Sequence, residues 1–138
     1  FSESRAYQVV VSDDLRTLSR LEVNRDGVIV DAWMTDLNRD GAIEIIVATG
    51  LLAGEDRGAV DIHEWRDGRF ASTAVAELPA GDRPGYRGND QFSVENGQLR
   101  RVYPQFTAPD ADGNAVPTGR MVRYRYDFAA NRWQREEQ

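Results

Sequence analysis

Three oxygen-bearing side chains stand at alternate positions in Asp36-Leu37-Asn38-Arg39-Asp40-Gly41. Asp36, Asn38 and Asp40 match positions 1, 3 and 5 of an oxygen-ligand calcium loop, and Gly41 matches the sharp turn at position 6. An EF-hand also needs a bidentate Glu at position 12. Val47 stands there instead, and Glu44 falls at position 9. The helix that an EF-hand needs is replaced by Ile43–Ala48, a short β-branched run that reads as a buried strand. The EF-hand reading fails on both counts. Two readings remain: a looser calcium site of the β-propeller-loop kind, or an Asx-rich turn in which Asp36 and Asn38 bond the local backbone. The residues alone favour the turn, so no cofactor is expected, with calcium the one candidate.

Other residues able to do chemistry are sparse. His63 is the only histidine and lies mid-strand, expected with Asp61 on the more exposed side while Val60 and Ile62 face the other way. No G-x-S-x-G elbow exists, and a Ser-His-Asp set would need one of Ser2, Ser4, Ser12, Ser19, Ser72 or Ser93. The 23 acidic residues contain pairs enough for glycoside hydrolysis, but sequence does not give their separation. With no cysteine, thiol catalysis, disulfides and cysteine-based zinc sites are excluded. The expectation is a protein that is not an enzyme. Arg100, Arg101, Arg120, Arg123 and Arg125, with Tyr103, Tyr124 and Tyr126, have the residue types of a nucleic-acid or polysaccharide surface. A net charge of −6 argues against nucleic acid and favours a solvated sheet face whose arginines pair with acids across strands.

The elements that must position these residues read as strands. Expected strands are Tyr7–Val11, Leu21–Val23, Val28–Met34, Ile43–Ala48, Ala59–Trp65, Phe70–Leu78, Asp90–Glu95, Gln98–Tyr103 and Val122–Phe128, closed by Trp133. Turns are expected at Asn24-Arg25-Asp26-Gly27, Asn38–Gly41, Arg66–Arg69 and Asn96-Gly97, because glycine and asparagine accept positive φ. A short helical piece is expected over Leu15–Leu18, and long loops over Pro79–Gly88 and Thr107–Gly119. The class expected is all-β: one antiparallel β-sandwich domain over residues 1–138, of about eight short strands, with a loose start at 1–5. No apolar run approaches the roughly 20 residues of a bilayer-spanning helix, so no membrane partner is expected. The chain opens on Phe1 with no leader-like segment, as a mature exported form or a trimmed piece would.

The second half carries a resemblance. Tyr86 to Pro104 runs as aromatic-Ser, turn, apolar-Arg-Arg, aromatic-Pro, through Phe92-Ser93, Asn96-Gly97, Leu99-Arg100-Arg101 and Tyr103-Pro104. The acidic loop Asp110–Gly119 with its Pro117-Thr118-Gly119 end, followed by Tyr124-Arg125-Tyr126, continues the pattern. Upstream, Asp36–Val47 and Val60–Trp65 supply a D-x-N-x-D-G turn, an apolar strand and an aromatic-ended strand in order. This ordered set, spanning about Asp36 to Trp133, resembles the bacterial periplasmic inhibitors of invertebrate-type lysozyme. The resemblance implies an antiparallel β-sandwich, a periplasmic or secreted location, and occlusion of a lysozyme cleft by a protruding loop. In that family the loop is small and glycine-rich with a Ser-Gly-x-Tyr-like element. The matching segment here is Thr49–Gly58, where the Ser and Tyr are missing and Glu55, Asp56 and Arg57 stand instead. The partner-binding residues implied are Gly54, Glu55, Asp56, Arg57 and Gly58, with Tyr86 on the second loop. A homodimer is compatible with exposed edge strands. The alternative, from a different class, is a calcium-stabilised exported interaction or carbohydrate-binding module using Asp36, Asn38 and Asp40.

Overall fold

The computed structural model describes residues 4–13, 15–50 and 58–136. They form nine strands: β1 Ser4–Ser12, β2 Thr17–Thr35, β3 Glu44–Gly50, β4 Ala59–Arg66, β5 Arg69–Thr73, β6 Gln91–Glu95, β7 Gln98–Phe106, β8 Pro117–Asp127 and β9 Arg132–Arg135. Every pairing is antiparallel, so the all-β antiparallel class expected from the sequence is what the structure shows. The described residues fall into two compact units. Unit 1 carries β1 to β5, and unit 2 carries Gly58 and everything from Val75 onward.

In unit 1 the strands follow one another in the order β1-β2-β3-β4-β5. The long β2 changes partner partway. Its first half, to Gly27, pairs with β1, and its second half, from Val28, pairs with β3. The unit is therefore a two-stranded ribbon running into a four-stranded sheet. Here the structure corrects the sequence reading. Asn24-Arg25-Asp26-Gly27 is not a turn but the interior of β2. Gly27 has φ +114°, which an L side chain rarely adopts, and it sits where the strand changes partner. The same ladder overrides the helical piece expected over Leu15–Leu18. Thr17 and Leu18 already belong to β2, and Asp13 Oδ1 accepts the N–H groups of Leu15 and Arg16 at 2.9 Å to close the turn.

Burial in unit 1 centres on β3 and β4. Ile46 to Gly50 are buried at every position, as are Val60 to His63. Strands buried on both faces lose the apolar/polar alternation that marks a half-exposed strand. This overturns the placement of Asp61 and His63 on an exposed side: Asp61 is 8% exposed and His63 3%. The β4–β5 corner is the expected tight hairpin, with Asp67 at φ +53° and Gly68 at φ +76°, the positive pair a type I′ turn requires. The returning strand ends at Thr73 rather than Leu78.

Unit 2 is a meander in the order β6-β7-β8-β9. Asn96 at φ +52° and Gly97 at φ +72° turn β6 into β7, again as type I′. The loop expected over Pro79–Gly88 contains a 3-10 helix, Ala80–Gly85, and β8 begins at Pro117, inside the second expected loop. On the buried face of the sheet, Leu99, Arg101 and Tyr103 of β7 lie beside Val122, Tyr124 and Tyr126 of β8, with Trp133 of β9. The rings of Tyr103 and Tyr124 stack at 6.2 Å, and Trp133 Nε1 donates to the Ala76 carbonyl at 2.9 Å.

The five clustered arginines do not share one face. Arg100, opposite Arg125, and Val102, opposite Arg123, point one way, while Arg101 lies among the tyrosines and is only 8% exposed. Its guanidinium is 5.2 Å from the Phe92 and Tyr86 ring centres and 5.5 Å from that of Trp133. Asp90, whose side chain is fully buried, accepts from Arg101 Nε through Oδ2 at 2.5 Å. Its Oδ1 accepts the Tyr86 hydroxyl and the Gly58 N–H. A buried charge pair whose carboxylate oxygens are both hydrogen-bonded is tolerated, but removing one partner strands the other. Asp90→Ala is therefore expected to lower unfolding free energy by about 3–5 kcal/mol in urea titration, whereas Arg123→Ala, on the exposed face, should change it by no more than roughly 0.5 kcal/mol.

Candidate functional site

Among the described residues, two places bring chemically capable side chains together: the corner between β2 and β3, and the interior of unit 1 around His63.

The β2–β3 corner holds the Asp36–Gly41 motif. Gly41 N–H donates to Asp36 Oδ2 at 2.8 Å, and Asp40 N–H donates to Asp36 Oδ1 at 3.1 Å. Asp40 Oδ1 accepts from the Ala42 N–H at 2.9 Å, and Asn38 Oδ1 lies 3.3 Å from the Asp40 N–H. These are the Asx-type bonds expected of a local turn. The corner also contains a residue the sequence reading placed at position 9 but did not count as a ligand. Glu44, the first residue of β3, is 0% exposed, and one of its oxygens, Oε1, accepts the Asn38 N–H at 3.0 Å. Its other oxygen, Oε2, is buried and has no hydrogen-bond partner among the described residues. Carboxylate oxygens of Asp36, Asp40 and Glu44 all lie within 4.8 Å of one another. Burial pushes the Glu44 carboxyl above its ordinary range. The Asn38 N–H opposes this, and the charges of Glu64, Asp40 and Asp36 add to it. Arg66 sits on the rim, ion-paired to Asp40 and, at 2.8 Å, to Glu64. The D-x-N-x-D-G-x-x-E spacing was legible all along, but a loop template that places its last acid at position 12 draws attention to Val47 instead.

In the interior of unit 1, Asp61 accepts the Tyr7 hydroxyl through Oδ2 at 2.6 Å and an ion pair from Arg25. Tyr7 oxygen also lies 2.8 Å from His63 Nε2, and His63 Nδ1 lies 2.7 Å from Ser72 Oγ. The Tyr7 proton goes to the carboxylate, so the Tyr7 oxygen accepts and Nε2 carries the imidazole proton. Nδ1 then accepts from the Ser72 hydroxyl. Burial lowers the His63 pKa, Asp61 opposes the shift, and Arg25 reinforces it. The imidazole is thus held neutral. Ser72 and His63 are cross-strand partners in the β4–β5 ladder, and Asp61 reaches the histidine only through Tyr7. The group's evident work is to satisfy buried polar atoms, and a pocket lined by Tyr7, Arg25, Val28, Ile29 and Thr49 lies beside it.

Of the partner-binding residues expected after β3, Gly54, Glu55, Asp56 and Arg57 lie outside the described residues. Their stems do not. Thr49 pairs with Ala59 as the last pair of the β3–β4 ladder, so the connection springs from two buried strands. Gly58 packs closely within unit 2: a Cβ there would stand 2.8 Å from Phe92 Cε2 and 3.0 Å from Asp90 Cβ. Tyr86 is half-buried. Its hydroxyl is bonded to Asp90, and its ring meets Tyr103 edge-on at 4.9 Å. Burial, then the Asp90 bond, raises the Tyr86 pKa well above its usual value.

The His63 network generates a pH dependence. The folded-state pKa is depressed below the ordinary 6.5, so between the two values the unfolded chain binds the proton more readily. The His63 contribution to stability is complete above 6.5 and is lost as pH falls through the interval below it. Thermal melting from pH 8 to pH 5, as a range around the unperturbed value, is expected to show a falling midpoint that is shallower in His63→Gln. Parallel curves for the two proteins would exclude His63 as the group responsible.

A scan against protein-family models gives no match to this chain, and searches of curated proteins and of solved structures give none either.

Proposed function

We propose that the chain is a non-enzymatic, exported protein inhibitor that occludes the cleft of an invertebrate-type lysozyme with the segment following β3. The reading is carried by the ordered resemblance over Asp36–Trp133. It is supported by the architecture at that place: two buried, mutually paired strands, β3 and β4, carry the segment between Thr49 and Ala59. Rigid stems fix where the segment starts and ends, which lowers the ordering cost a cleft-filling inhibitor must meet. Arg57 is the residue suited to pair with a catalytic carboxylate of the enzyme, and Glu55 and Asp56 flank it. Tyr86 would contribute only the ring surface left over from its bonds to Asp90 and Tyr103. The single histidine works against a hydrolytic reading, because it is buried, neutral and occupied on both nitrogens.

The expected result is inhibition of an invertebrate-type lysozyme at micromolar protein, measured by clearing of a bacterial cell-wall suspension, beside chicken- and goose-type enzymes. Arg57→Ala should weaken it about tenfold or more, the loss of one well-placed charge pair. Absence of inhibition toward all three enzymes overturns the proposal.

A further inference from the structure

The geometry points to a calcium ion held at the β2–β3 corner by Asp36, Asn38, Asp40 and Glu44. The decisive feature is Glu44. A carboxylate oxygen that is wholly buried and accepts nothing costs more than almost any other group left unsatisfied. Among the described residues, the buried carboxylates of Asp61 and Asp90 are answered: Asp61 by Arg25 and Tyr7, Asp90 by Arg101, Tyr86 and the Gly58 N–H. Glu44 receives one backbone N–H and faces two further carboxylates. Bringing acids together in this way raises their energy unless a cation lies between them.

The dimensions fit the ion. Calcium–oxygen bonds are about 2.3–2.6 Å, so ligands on opposite sides of one ion stand roughly 4.6–5.2 Å apart. One carboxylate oxygen from each of Asp36, Asp40 and Glu44 lies within 4.8 Å of the other two, inside that span. Asn38 adds a neutral oxygen from the same turn. An all-oxygen set of three carboxylates and one amide is a hard-ligand site, suited to calcium and unsuited to zinc or copper. Magnesium demands a tighter octahedron and gives up its waters reluctantly, so it is the weaker occupant. Arg66 stays on the rim with Glu64, and it limits the excess negative charge by pairing with Asp40. The site is independent of the inhibitor reading, since it uses none of residues 49–58.

The test is a calorimetric titration of the chelator-treated whole chain with calcium chloride, repeated with magnesium chloride, alongside thermal melting in each. Expected is one calcium per chain, a rise in melting midpoint with calcium, and a response to magnesium at least tenfold weaker. Asp36→Asn should weaken calcium at least tenfold while the protein stays folded. Glu44→Gln is the sharper probe. It removes the charge but keeps the shape, so it should melt no lower than the parent without calcium and lose the calcium-dependent rise. No heat and an unchanged midpoint in about 10 mM calcium, well above the weakest roughly millimolar sites, overturn the proposal. So does a Glu44→Gln protein that responds to calcium as the parent does, or an equal response to both ions.

Discussion

A carboxylate removed from water must be met by donors or charge, and in this chain that requirement shapes both units. In unit 1, Asp61 draws Arg25 from β2 and Tyr7 from β1 onto β4. In unit 2, Asp90 draws Arg101 from β7 and Tyr86 from the segment after the 3-10 helix. Each acid fixes three elements at once, because strand register decides which side chains reach it. Apolar packing around Ile46, Ile62, Tyr103 and Tyr124 supplies the larger driving force, but it is tolerant of small shifts. The charge contacts are less tolerant, because losing either partner strands a buried charge.

How much of this was legible in the sequence follows the range of the interaction. Asp67-Gly68 and Asn96-Gly97 announce their hairpins because the positive φ values they supply are needed within two residues. Asp26-Gly27 carries the same letters and means something else, since β2 is held straight by ladders to β1 on one side of Gly27 and to β3 on the other. The burial of His63 was hidden for a similar reason. Alternation along β4 indicates which residues share a face, but not that both faces are covered. Arg101 reads as one arginine among five until Asp90, eleven positions away, is seen beside it.

The candidate sites divide the same way. Asp36, Asn38 and Asp40 are visible from spacing alone, since the ligand pattern is local. The orphaned oxygen of Glu44 is visible only in three dimensions. The acidic corner and the connection at Thr49 sit at opposite ends of β3, a strand of seven residues. At about 3.3 Å per residue they are roughly 20 Å apart along the chain direction. No single side chain spans that distance, so an ion held at the corner would act on the connection only through the strand.

The change of partner within β2 gives one continuous strand two local stabilities. Val28–Thr35 is the edge of the four-stranded sheet, paired with β3, which is itself bonded to β4 on its other side. Thr17–Asn24 has only β1 beside it, and a lone two-stranded ribbon is marginal in water. What keeps the ribbon closed is the clasp of Tyr7 and Arg25 on Asp61, one hook from each of its strands onto β4. Backbone amides on the two sides of Gly27 therefore exchange with solvent by different openings, the ribbon side by release of the clasp and the sheet side by detachment of β2 from β3.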